Sequence, residues 1–207
     1  VTRDDIRDFV IKCPRSCGQP TTSIGYGACA TFAVTSLAAS IYGWDGYSDV
    51  ACALVTGACA VAPFAIEKWN QIKGVGKVGP TPRWLAGYGD SIIKSLGSNK
   101  RLSVGQYQDD KKLFDRIKTE LDNGRPVIVL LNFGPLMWHY VTIISYNEDV
   151  FSYLDTSGYI STYTKNELVD RMDFEKNPTT AKIKTALKHV GWYMGVDIDR
   201  YNLIYLT

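Results

Sequence analysis

Histidine is nearly absent from this 207-residue sequence: there are two, His139 and His189. Any imidazole chemistry therefore rests on one of two positions. Charge excess is missing too. Lys and Arg total 23 against 21 Asp and Glu, a net charge of +2, and no block of like charges reaches five residues. That balance gives no electrostatic case for nucleic acid or an anionic membrane, and no nucleic-acid partner is expected. Low-complexity tracts do not occur. Metal-ligand spacing is limited to the pair in CPRSC, with nothing nearby to complete a site, so no metal or other cofactor is expected. The stretch GVGKVGP lacks a preceding strand and a GK[ST] ending, and reads as a connector, not a phosphate loop. Long apolar runs are scarce. Val50 to Ile66 is free of charge for 17 residues, but Gly57 and Pro63 interrupt it and no basic flank orients it. It reads as a buried core helix, and no integral membrane segment is expected. The sequence opens at Val1 without a charged-then-apolar leader, which reads as a mature or trimmed chain.

What is present is ordinary globular material: 45% hydrophobic and 21% charged residues. The length suffices for one substantial domain over residues 1–207, with lobes dividing near residue 100. Nothing in the pattern specifies an oligomeric state. Five cysteines allow two disulfides and one free thiol, an arrangement that suits an exported protein; five reduced thiols packed as small hydrophobes is the other reading. A Cys52–Cys59 bridge within one unbroken helix is disfavoured, since the two would stand about 10 Å apart. Cys13 with Cys17, or pairs joining the two regions, are the better candidates.

Periodicity divides the chain. Its first half reads helical, over residues 3–12, Cys29 to Tyr42, Asp49 to Ile72 and Pro82 to Leu96. Its second half opens with an amphipathic helix over 109–122, with Leu113, Ile117 and Leu121 on one face and Asn123-Gly124 as its stop. PVIVLLNF, HYVTIISY and DVFSYLD then read as strands, the last two joined by a hairpin at NED. GYISTYT is a further strand, TKNELVDRM a helix with a Thr164–Glu167 capping box, and NLIYLT a closing strand. Helices first and an antiparallel sheet second make an α+β order.

Two stretches share the letters GACA, around Cys29 and Cys59. Cys29 follows Gly25 and Gly27 and opens an apolar helix, near unpaired N–H groups and the positive end of the dipole. Cys59 lies inside an apolar helix whose nearest charges are Asp49 and Glu67, a setting for an inert, packed thiol. Of the histidines, His189 has no acidic residue until Asp197. His139 starts a strand, and Asp155 ends the next one at a matching distance from the hairpin, so the two are expected as neighbours across the ladder. A carboxylate there can hold one imidazole nitrogen while the other faces a thiol. Taken singly, each residue has a bland reading: a core thiol, a strand-end histidine and a turn-forming aspartate. Trp138, beside His139, either lines the cleft or caps the hydrophobic end of the sheet.

The segments GYGACATFAV, GRPVIVLLNFG and WHYVTIISYNEDVFSYLDTSG, in this order, resemble the papain-like cysteine peptidases. More narrowly, they are similar to the double-glycine leader peptidases that process bacteriocin precursors, and to their stand-alone secreted relatives. The resemblance covers roughly residues 19–37 and 120–170. It implies a papain-like fold, with a helical lobe carrying the nucleophile helix packed on a twisted antiparallel sheet, and a catalytic Cys29–His139–Asp155 triad. Such families place a glutamine a few residues ahead of the cysteine as an oxyanion-hole donor; Ser23 holds that place here, and Gln19 is nominated instead, together with the Cys29 N–H. The implied activity is hydrolysis of a peptide or protein substrate through a thioester, in a secreted or exported protein, with a translocated bacterial effector as one form of that. The same triad would also serve a thiol acyltransferase, a deamidase or a peptidoglycan amidase, and a papain-like scaffold can also act as a non-catalytic binding or toxin-like module.

Overall fold

The computed structural model describes residues 28–41, 81–95, 97–134, 137–155, 160–176 and 198–207. The expected helices over 3–12 and Asp49–Ile72, and the readings made for Gln19, Cys59 and His189, lie outside them. So do the four cysteines that would form disulfides; Cys29, the cysteine that is described, is a free thiol.

Helix α1 spans Ala28–Ile41 and α2 spans Pro82–Ser95. Strand β1 (Leu102–Tyr107) is followed by α3 (Asp110–Asp122), β2 (Val127–Gly134), β3 (Met137–Asn147), β4 (Val150–Leu154), β5 (Ile160–Thr164), α4 (Lys165–Met172) and β6 (Tyr201–Leu206). The strands form one six-stranded sheet in the order β1-β6-β2-β3-β4-β5, antiparallel at every pairing. The α+β class expected from the order of elements is the class observed.

Central strand β2 shows why the run VIVLL is apolar throughout. Ile128 and Leu130 face α1 and α2, joining Ala30, Val34, Leu37, Leu85 and Ile93. Val127, Val129 and Leu131 face α3 and α4, joining Leu113, Ile117, Leu168 and Met172. Since successive side chains alternate sides, a strand covered on both faces has no polar position. Helix α2 closes onto α1 and β1 because Gly89 has no side chain: a Cβ there would come within 2.5 Å of Leu102 Cδ1 and 3.1 Å of Val34 Cγ1.

Local chemistry sets several boundaries. Asp109 caps α3, its carboxylate accepting from the Lys112 N–H at 2.9 Å. At the other end only Gly124 takes the left-handed conformation (φ 70°), while Asn123 stays at φ −87°. Thr164 and Glu167 form the complete reciprocal capping box. Strand β1 falls inside a segment with no strand-like run, and its partner β6 is at the far end of the chain, with Leu102 opposite Leu206.

Asp173, just past α4, ties three elements together. Its carboxylate accepts from Arg200 Nε and Nη2 at 3.0 and 2.7 Å and from the N–H groups of Glu175 and Lys176, and its carbonyl accepts from Asn132 Nδ2 at 3.3 Å. Burial pushes this carboxyl up, but Arg200 and the two N–H groups outweigh that and hold it below its ordinary value. Its stabilising contribution is therefore fully present above the unfolded-state pKa and is lost as pH falls through the lower folded value. Asp173→Ala removes the acceptor for two N–H groups and for a partly exposed guanidinium, and is expected to cost about 2 kcal/mol at neutral pH. In urea melts, the gap between wild type and variant should close as the pH is lowered through the acid range.

Candidate functional site

Helix α1 brings Cys29 to the site as its second residue, in the first turn, where backbone N–H groups have no acceptor within the helix. The helix is almost wholly apolar and small on its inner side: Ala30, Ala33, Val34, Leu37 and Ala38 are buried. It packs on β3 and β2, and half-buried Cys29 lies against the same cluster as Tyr140. Burial and the neighbouring Cys29 push the Tyr140 hydroxyl well above its ordinary range.

Strand β3 supplies His139 as its third residue, paired with Leu131 of β2. Asp155 immediately follows β4. His139 Nε2 and Asp155 Oδ1 are 2.7 Å apart. The two are not directly opposed. From the hairpin, Asn147 pairs with Val150 and Ser145 with Ser152, and continuing that register would set Asp155 against Thr142, on the opposite face of the sheet from His139. A bulge at Ile144 intervenes. Beyond it Thr142 pairs with Leu154, so Asp155 follows on opposite Val141. That one-residue shift puts Asp155 on the face of His139, diagonally across the ladder and within reach of its ring.

The Cys29 side chain is close enough to act on the imidazole's charge as well. Burial alone would lower the ring's pKa, but the hydrogen bond to Asp155, the interactions with Cys29 and the charge of Asp155 prevail, and it rises from 6.5 to about 9. The raised value favours the imidazolium form of the ring at neutral pH. With Nε2 held by Asp155, Nδ1 is the nitrogen left for the sulfur.

A second bulge lies in β2. Asn132 pairs with Trp138 and Gly134 with Met137, leaving Phe133 without a partner across the ladder. Its ring is 43% exposed and stands edge-on to His139, with centroids 5.8 Å apart. The Arg171 guanidinium of α4 lies over the Phe133 ring, 5.1 Å from its centroid. Trp138 packs against the same apolar cluster under α1 as Cys29, edge-on to Phe174 at 6.1 Å. Of the residues singled out in the sequence, His139 and Asp155 are hydrogen-bonded, Cys29 lies near enough to act on the imidazole's charge, Trp138 shares the cluster that Cys29 packs on, and Gln19 is outside the described residues. Phe133 and Arg171 were not singled out. The signal for Phe133 was an aromatic at the end of an apolar strand, indistinguishable in the sequence from core.

Among the described residues, no group of three or more His, Cys, Asp or Glu side chains could hold a metal ion, and no helix is long and apolar enough to cross a membrane. A search of curated proteins finds no match. Among solved structures, the chain is similar to the Pseudomonas avirulence protein AvrPphB, with 12% identity and a TM-score of 0.34 over 98% of this chain and 99% of that one. A family model, the Peptidase_C39 like family, matches residues 33–182, which include His139 and Asp155 and begin just after Cys29. With that match over most of its length, and a scaffold of the cysteine-peptidase type, the chain belongs to the Peptidase_C39 like family.

Proposed function

We propose that the protein is a cysteine peptidase that cleaves peptide bonds through Cys29, His139 and Asp155. The observation that carries this reading is the single imidazole held at 2.7 Å by a carboxylate, with a free thiol at a helix start close enough to act on its charge. With its proton held on the ring, His139 leaves sulfur as the nucleophile. The Cys29 sulfur attacks the scissile carbonyl, whose oxygen becomes the oxyanion, accepted by the Cys29 N–H and by a second donor for which Gln19 is the nominee. As the carbonyl re-forms, the C–N bond breaks and His139 Nδ1 gives its proton to the departing amine. Water then adds to the thioester, losing a proton to the same nitrogen, and the C–S bond breaks to release acid and regenerate the sulfur anion. Asp155 fixes the ring and stabilises its charge throughout. No further group is needed for the atoms and charges to balance.

The intermediate distinguishes this reading from a non-catalytic scaffold. After mixing with a peptide thioester and quenching in acid, mass spectrometry should find one acyl group on the tryptic peptide containing Cys29. An adduct on another cysteine, or none, sinks the assignment. Adding a free amine before the quench separates hydrolysis from transfer: release of the peptide acid supports a peptidase, and predominant amide product supports an acyltransferase.

A further inference from the structure

We propose that Phe133 and Arg171 form the leaving-group side of the substrate cleft, and that it selects a peptide with an acidic residue shortly after the scissile bond. This rests on the reading of His139 as the proton donor to the leaving amine. The departing segment must start beside that imidazole, and the described aromatic against its edge is Phe133, displaced by its bulge and 43% exposed. Beyond Phe133 the segment meets Arg171.

Arg171 is an exposed cation whose neighbours are otherwise occupied. Among the described residues it makes no ion pair. Glu167, one turn before it on α4, accepts from the N–H and hydroxyl of Thr164 at 2.8 Å each and feels the Arg171 charge without pairing with it. Asp170 is paired with Lys176 at 2.5 Å, and Asp155 is on the imidazole. Tyr163, on the same face of the sheet as Asp155, feels the Arg171 charge, and the guanidinium lies over Phe133. An aromatic platform with a cation above it offers apolar contact to a peptide backbone and one ionic partner for a carboxylate.

The test is a mixed-sequence peptide library, with both sides of each cut sequenced for wild type, Arg171→Lys and Arg171→Glu. Each enzyme's rates are expressed relative to its own rate on cuts followed by neutral residues. Wild type and the lysine variant should favour acidic residues in the first positions after the cut by about three- to fivefold, the range one exposed ion pair supplies. Arg171→Glu should reverse this toward basic residues. Cleavage without that preference, or with a preference unchanged in Arg171→Glu, overturns the subsite and leaves the peptidase reading standing. If no library peptide is cut, the peptidase reading fails, and the subsite is read from alkylation instead. Acidic tripeptide amides should then slow iodoacetamide labelling of Cys29 more in wild type than in Arg171→Glu; equal protection overturns it.

Discussion

Cys29→Ala should end peptide hydrolysis, and His139→Ala should lower kcat by about 10⁴-fold, the scale on which a nucleophile–base pair fails when either member is removed. The reason for two losses of similar size is that neither group does its work alone. Without the sulfur there is no thioester, so the substrate carbonyl faces only the oxyanion donors and a water that nothing activates. Without the imidazole, no charged partner faces the sulfur and the leaving amine has no proton source. The double variant Cys29→Ala/His139→Ala should therefore be no slower than Cys29→Ala, because residues that act as one unit are grossly non-additive. Steady-state rates on one fluorogenic peptide measure all three. A His139→Ala enzyme that retains a tenth of wild-type kcat would show that the base is elsewhere, and the His139–Asp155 hydrogen bond would then be structural. Fold integrity is checked by the urea midpoint. His139 sits at the end of β3 with its ring part-exposed, so its loss should disturb the core little.

The parts of this site that were legible in the sequence are those encoded locally. The Thr164–Glu167 capping box needs only residues three apart, and the β3–β4 hairpin only a turn between two β-branched runs. Cys29 at a helix start follows from glycines giving way to a small apolar run. Strand β1 was not legible, because Leu102–Tyr107 contains Gly105 and Gln106, and its pairing partner is β6 at the other end of the sequence. The two bulges were not legible either, and they decide the site. A period of two says which face a residue takes only while the ladder is unbroken. Their similar distances from the hairpin suggest that His139 and Asp155 are neighbours across the ladder; in the sheet they are diagonal, and they share a face only because Ile144 is an extra residue. The bulge at Phe133 likewise turns what reads as one more core aromatic into the ring that touches the imidazole. Trp138, adjacent in sequence to His139, necessarily points to the other side of its strand, which is where it meets Phe174.

Asp155→Ala should lower kcat by about 10²- to 10⁴-fold and move the basic limb of the pH–rate profile toward neutrality. In the wild type, burial drags the imidazole pKa down and is outweighed first by the hydrogen bond to Asp155, then by the interactions with Cys29, leaving it at about 9. Removing the carboxylate deletes the largest opposing contribution while the burial stays. The ring then loses its proton at lower pH, and with it the capacity to protonate the leaving amine. Wild-type activity should persist through neutral pH and decline as pH approaches about 9, whereas that of the variant should already be falling below this. Stability carries the same signature. A pKa raised on folding contributes stability that is fully present below the unfolded value near 6.5 and is lost as pH rises through about 9, so the wild type weakens across that window and Asp155→Ala weakens less. With only two histidines in the chain, a proton NMR titration of wild type and His189→Gln assigns the His139 resonance directly. An unchanged His139 midpoint in Asp155→Ala would mean that Cys29 alone sets the charge on the ring. Asp155 would then act on catalysis by orienting the imidazole, and the rate would fall with no displacement of the basic limb.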